Sequence, residues 1–270
     1  MSALVALVAA ALLAVPAKKV PHFVKKVDVG GYRLAIECYG RGSPVVVLDS
    51  GFSTPRSAWY WVVPRLRTTT RVCSYDRAGL GQSERRPAAI TPTTDVIMGE
   101  LHTLLQRAKL APPYVLGGWS IGGFDVRYYQ HRYPAEVAGL VLVDGTVPSF
   151  LLGSPDPLDS GIETMYTHEA AEQLLHPPPL AGLPVVDITH GLPLGDADQE
   201  TEWLQGQHQI TSSTTSSMLV KARGSGHAIA EERPALVAYG LKLVVKSVRK
   251  SAPLPTCRAT SVPKLRGTCL

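Results

Sequence analysis

Residues 115–129, "VLGGWSIGGFDVRYY", run from an apolar strand-like stretch, through glycines set around a single serine, into a segment of helical character. Gly118-Trp119-Ser120-Ile121-Gly122 satisfies G-x-S-x-G in the context that gives the motif meaning, with a strand before it and a helix after it. A sharp strand-to-helix turn lifts the serine to its apex in a strained backbone conformation, and side chains on the flanking positions would collide with neighbouring backbone. The turn also leaves the Ile121 N–H at a helix N-terminus, where it can donate to a developing oxyanion with the helix dipole behind it. The alternative, a glycine-rich phosphate cradle, lacks the Lys-Ser/Thr pair of a P-loop and the G-x-G-x-x-G of a dinucleotide fold. Ser120 therefore reads as a nucleophile.

A serine hydroxyl is a poor nucleophile at neutral pH and needs a base within hydrogen-bond reach. "MLVKARGSGHAIAEERP" offers one: a strand, a glycine-flanked turn, His227, then a helix. His22, His102, His131, His168, His176, His190 and His208 read as lacking such a strand-end position or as lying on helical and lid-like segments. They show no H-E-x-x-H or similar spacing, so a zinc site is not expected; a serine activated by a histidine needs no metal or organic cofactor.

Outward from this pair, strand-like and amphipathic helical runs alternate from about residue 27, the pattern of a mainly parallel sheet with helices on both faces. Strands are expected at "YRLAIECY", "PVVVLD", "RVCSYD", "YVLGG", "AGLVLVD", "LPVVDIT" and "SSMLVKA", and helices at about 57–67, 94–110, 121–133, 199–211 and 231–250. Thr94-Asp95 is a usable N-cap region. The Pro-rich stretch 145–182 interrupts the alternation and reads as a small lid insertion. The chain thus divides into segment 1–17, a single α/β domain over 27–250 and a Pro/Cys tail over 251–270.

With 270 residues the chain can bury one full α/β core. The formal charge of +5 comes from dispersed Lys and Arg with no aromatic-interleaved basic stripe, which argues against nucleic acid as a partner. "SALVALVAAALLAVPA" is an apolar run ending in small residues, short for a transmembrane helix and similar to the core of a signal peptide. The basic residues that should precede such a core are missing, so a membrane anchor that contacts the bilayer stays open beside secretion. Four cysteines suit an oxidising, extracytoplasmic compartment. Cys257 and Cys269 flank a Pro-rich tail that a covalent loop would order, whereas Cys38 and Cys73 lie in strand-like runs where buried thiols are the alternative.

Taken together, "PVVVLDSGF", "VCSYDRAGLGQS", "GGWSIGG", "GLVLVD" and "GSGHAI", in this order, resemble the α/β-hydrolase fold superfamily over roughly residues 27–250. The resemblance implies Ser120 as nucleophile, His227 as base, and the N–H groups of Ile121 and Phe52 as oxyanion donors. Phe52 follows Ser50-Gly51, which stands where many members have His-Gly. The acid that orients the imidazole follows either "GLVLVD", giving Asp144, or "LPVVDIT", giving Asp196 or Asp198; Asp144 is favoured because it ends its strand directly. The resemblance makes the strands of Cys38 and Cys73 sheet neighbours and so raises a bridge between them.

Among the remaining residues, Asp76-Arg77 is expected to shape its own loop, Trp119 and Phe52 to line a pocket, and Asp125 and Arg127 to be surface or intrahelix polar residues. The reaction implied is cleavage of an ester or related acyl bond of a small-molecule substrate. An acyltransferase, a peptidase, a hydroxynitrile lyase or a non-catalytic binding protein on the same fold are the alternatives.

Overall fold

The computed structural model describes residues 20–176 and 180–270. Segment 1–17, read above as signal peptide or anchor, lies outside the described residues. The sheet is built from β1 (His22–Asp28), β2 (Arg33–Tyr39), β3 (Val45–Asp49), β4 (Val72–Tyr75), β5 (Tyr114–Trp119) and β6 (Val137–Val143). Between them come two short 3-10 turns, Arg56–Trp59 and Val63–Arg65, and the helices α1 (Thr94–Arg107) and α2 (Ile121–Arg132). An insertion follows, made of α3 (Pro148–Leu152), the hairpin β7 (Leu158–Asp159) and β8 (Thr164–Met165), and α4 (His168–Leu175). The chain then returns through β9 (Val185–Thr189), α5 (Ala197–Ser212), β10 (Ser217–Ala222), α6 (Ile229–Glu232), α7 (Pro234–Lys250) and β11 (Gly267–Cys269).

Among the described residues nine strands form one sheet in the order β1-β2-β4-β3-β5-β6-β9-β10-β11. From β4 through β10 the pairings are parallel, and β1, β2 and β11 add antiparallel edges. Strand side chains alternate between faces, so consecutive apolar residues feed different cores. Val45, Val47 and Leu116 pack with Leu101, Leu104 and Phe124 of α1 and α2. Val46, Leu48 and Val115 pack on the other face with Leu236, Leu241 and Val244 of α7. Burial on both faces explains why these strands read as continuous apolar runs.

The structure departs from the sequence reading in several details, and the helix expected at about 57–67 is instead the two 3-10 turns. The α1 cap falls one residue earlier than expected, on Thr93, whose side chain accepts from the Val96 N–H. The largely exposed, Lys-bearing β1 begins at His22 and was not anticipated, because an edge strand carries little apolar pattern. The tail 251–270 joins the sheet through β11, which pairs with β10. Cys257 and Cys269 are disulfide-bonded, as are Cys38 and Cys73, which face each other directly in the β2–β4 register.

Candidate active site

Strand β5 delivers Ser120 to a turn with φ 58° and ψ −126°, a region costly for a non-glycine residue. The flanking glycines make the turn feasible. A Cβ on Gly118 would come within 2.0 Å of the Gly122 carbonyl oxygen, and one on Gly122 within 2.6 Å of those of Asp49 and Ser50. The strained residue is pinned on both sides: its N–H donates to the Val143 carbonyl, and its own carbonyl accepts from the N–H groups of Gly123 and Thr146.

His227 follows β10 and reaches Ser120 Oγ with Nε2 at 2.8 Å. Its Nδ1 lies 2.7 Å from Asp144 Oδ2. An ionised carboxylate only accepts, so Nδ1 carries the proton and Nε2 presents its lone pair to the serine hydroxyl. Trp119 fixes the histidine backbone by donating its indole N–H to the His227 carbonyl at 2.7 Å.

Asp144 leaves β6 with φ 49° and is fully buried. Besides His227, its carboxylate accepts from Thr189 Oγ1, the His190 N–H, His190 Nδ1 and Trp203 Nε1 at 2.8–3.3 Å. Burial alone would raise the Asp144 pKa; hydrogen bonds and charge from His190 and His227 reverse this and hold it below the ordinary carboxylate value. Asp196 and Asp198 stand apart from this chain of hydrogen bonds. Asp196 caps α5, accepting from the N–H groups of Asp198 and Gln199 in a capping box, and Asp198 is exposed.

The N–H groups of Phe52 and Ile121 have no acceptor among the described residues, leaving both free to donate. The loop of Phe52 lies against Ser120, for a Cβ on Gly51 would sit 3.4 Å from Ser120 Cβ. Arg77 holds that loop. Its guanidinium donates to the Ser50 and Gly51 carbonyls, each at 2.7 Å, and to the carboxylates of Asp49 and Glu163. Because the carbonyl and amide of a trans peptide point opposite ways, turning the Gly51 carbonyl to Arg77 turns the Phe52 N–H away from it.

Arg77 was expected to act locally and instead ties the loop of Phe52 to the insertion. Glu163 completes the tie by accepting from the Ser53 N–H at 2.6 Å. Asp76 does bind its own loop, through the Gln82 N–H, and it also accepts from Arg56.

The expectation for Asp125 and Arg127 is corrected, since both are buried. They point to opposite sides of α2, whose residues 121–129 are all buried, and a helix covered on most sides has few surface positions. Burial, with the charge of Asp49 second, pushes the Asp125 carboxyl well up; burial depresses Arg127 to about 10.

A cavity of about 420 Å³ opens on Ser120 and His227, walled by Thr146, Phe150, His190, Leu194, Glu200 and Trp203. Trp119 and Phe52 are not among its walls. A second cavity, of about 470 Å³, lies among Glu37, Trp59, Arg67 and Asp76 and touches neither Ser120 nor His227. Among the described residues no three His, Cys, Asp or Glu side chains are arranged to hold a metal ion.

The sequence reading missed His190. It stands directly after β9, a strand-end position it had been said to lack, and its ring contacts both Asp144 oxygens at 2.8 and 3.0 Å. The signal was present in "VVDITH", an apolar run closed by a histidine.

A family model described as alpha/beta hydrolase fold matches residues 44–169. The uncharacterized protein YqjL of Bacillus subtilis (strain 168) is 25% identical over 230 residues, which is 80% of this chain and 89% of that protein. Two further curated relatives are spanned over only 18% and 38% of their own length. The haloalkane dehalogenase DatA from Agrobacterium tumefaciens C58 superposes with TM-score 0.64 at 17% identity, covering 84% of this chain and 97% of that one. A serine hydrolase involved in carbazole degradation, the CarC enzyme, gives 0.60 at 17% identity, covering 86% of this chain and 100% of that one. At such identities these structures speak to architecture, and their differing chemistries leave the reaction to be argued from the site.

Proposed function

Because this chain has the α/β-hydrolase fold, we propose that it is a serine hydrolase that cleaves an ester or related acyl bond through a covalent acyl-enzyme. The observation that carries the reading is the hydrogen-bonded chain Ser120 Oγ, His227, Asp144, with spacings of 2.8 and 2.7 Å. Ser120 attacks the acyl carbon as His227 Nε2 takes the hydroxyl proton, and Asp144 stabilises the imidazolium that forms. The N–H groups of Ile121 and Phe52 hold the tetrahedral oxyanion. His227 then protonates the leaving group, and a water activated by the same imidazole releases the acyl group from Ser120. A serine nucleophile suits acyl transfer to water.

Phe150, Leu194 and Trp203 supply an apolar wall to the cavity, which suits an apolar acyl group. The insertion over 145–182 supplies Phe150 and acts as a small lid. The two disulfides point to an oxidising compartment. Together with the apolar segment 1–17 they support export, with secretion as the reading and an anchored form as its alternative. Among the described residues no helix is long and apolar enough to cross a membrane.

The test is hydrolysis of nitrophenyl esters of increasing acyl length by the purified protein. Turnover that depends on chain length and is lost in Ser120→Ala supports the reading. Turnover that Ser120→Ala retains rejects it.

A further inference from the structure

The site holds a second histidine that the reaction above does not use. His190 is 3% exposed and lies between two carboxylates: Nδ1 contacts Asp144, and Nε2 lies 2.9 Å from Glu200 Oε2. Glu200 is itself fixed, its other oxygen accepting from the N–H groups of Leu194 and Gly195. Ionised carboxylates only accept, so an imidazole that bridges two of them must donate from both nitrogens and is therefore an imidazolium. Only His227 reaches Ser120; His190 makes no hydrogen bond to it.

We propose that His190 is a positioning residue: as an imidazolium bridging Asp144 and Glu200, it locks the Asp144 carboxylate toward His227 and draws off part of the negative charge that would otherwise act on His227. The proposal rests on the serine-hydrolase reading above. Asp144 turns Oδ2 to His227 because Oδ1 is held by Thr189, Trp203 and both donors of His190. A cation shared on the Asp144 carboxylate offsets part of the negative charge that faces the His227 ring. The charged and titratable groups around His190 are Asp144 at the end of β6, Glu200 of α5, His227 after β10 and Asp187 within β9, with Arg127 of α2 near Asp187. Burial by itself would favour a neutral His190 ring; hydrogen bonds and charge from Asp144 and Glu200 overcome it and raise its pKa.

Glu200→Gln separates charge from geometry. The amide oxygen still accepts from Leu194 and Gly195, its NH2 donates to His190 Nε2, and a neutral His190 still donates Nδ1–H to Asp144. The experiment measures kcat and KM against pH on a short nitrophenyl ester for wild type, Glu200→Gln and His190→Gln, with ¹⁵N-histidine NMR titration of wild type and Glu200→Gln. In His190→Gln the acid limb of kcat/KM should move up by about one pH unit, the size expected for loss of one nearby cation in a partly screened site; in Glu200→Gln the more distant Glu200 anion is lost together with the His190 cation, so the limb should move up by less. His190→Gln should also lower kcat, with KM changed less than about threefold, as befits a group acting through the transition state.

By NMR, His190 should remain doubly protonated above the ordinary histidine value of about 6.5 in wild type and lose its second proton at lower pH in Glu200→Gln. An unmoved limb in both variants, an effect confined to KM, or a His190 ring already neutral at pH 6.5 overturns the proposal. A wild type without ester turnover overturns the hydrolase reading instead, and the NMR arm still decides whether the bridge is charged.

Discussion

Replacing Asp144 by Asn removes one charge and almost no volume, and the hydrogen bonds determine how the new side chain sits. Four donors converge on Oδ1: Thr189 Oγ1, the His190 N–H, His190 Nδ1 and Trp203 Nε1. They require an acceptor there, so the asparagine oxygen takes that position and its NH2 takes the place of Oδ2. That NH2 then faces His227 Nδ1, which lies 2.7 Å from Oδ2. A donor opposite Nδ1 pulls the imidazole into the other tautomer, with its proton on Nε2 and aimed at Ser120 Oγ. No lone pair is left to receive the hydroxyl proton. By the serine-protease precedent for this change, kcat should fall by about 10³ to 10⁴, or ~4 to ~5.5 kcal/mol of transition-state stabilisation. Losing charge from a buried, multiply hydrogen-bonded carboxylate should also cost about 1–3 kcal/mol of folding stability. The assay is kcat and KM on a nitrophenyl ester beside Asp196→Asn and Asp198→Asn, with circular dichroism to confirm the fold. A loss below tenfold in Asp144→Asn, or an equal loss in either of the other two, refutes the reasoning.

Arg77→Leu should destabilise the protein by about 3–5 kcal/mol, because it removes the cation that the buried carboxyl groups of Asp49 and Glu163 are paired with. It also frees the Ser50 and Gly51 carbonyls, so kcat should drop alongside; a thermal melt within 1 °C of wild type would contradict this. The disulfides close spans of 35 and 12 residues, so loop entropy assigns about 4 kcal/mol to Cys38–Cys73 and about 3 kcal/mol to Cys257–Cys269. Urea denaturation of the paired Cys→Ser variants checks the order, and four free thiols in exported protein would reject the bridges. For pH, the folded-state pKa of His190 is raised, so its linked stabilisation is complete below about 6.5 and disappears as pH rises through the folded value. The melting-temperature gap between wild type and His190→Gln should therefore be wider at pH 6 than at pH 9, and a gap independent of pH would count against a charged His190.

The parallel strands were legible because burial on two faces leaves unbroken apolar runs, such as "PVVVLD" and "GLVLVD", with turn residues between them. β1 was not, since its lysines face solvent at a sheet edge and its pairing comes from β2 rather than from its own pattern. Ser120 and His227 were readable as single residues on distinctive strand-end turns. Asp144, preferred for its rigid strand-end position, lies against His227, while Asp196 caps α5.

What local sequence conceals is long-range polar pairing. Glu163 lies 86 residues from Arg77, and His190 lies 46 from Asp144. Nothing in either neighbourhood names the partner, and a polar residue bound that way looks like an ordinary surface position. Asp125 and Arg127 were misread for a different reason: they lie on a helix whose residues 121–129 are all buried, which polar residues in the sequence do not announce.

The claim on which everything else depends is that Ser120 is the nucleophile. Reaction of the purified, folded protein with a fluorophosphonate, followed by peptide mass spectrometry, tests it directly. The account expects one phosphonyl adduct, on the Ser120 peptide, with labelling lost in Ser120→Ala and strongly slowed in His227→Ala. An adduct on another residue, or undiminished labelling of Ser120→Ala, would contradict it.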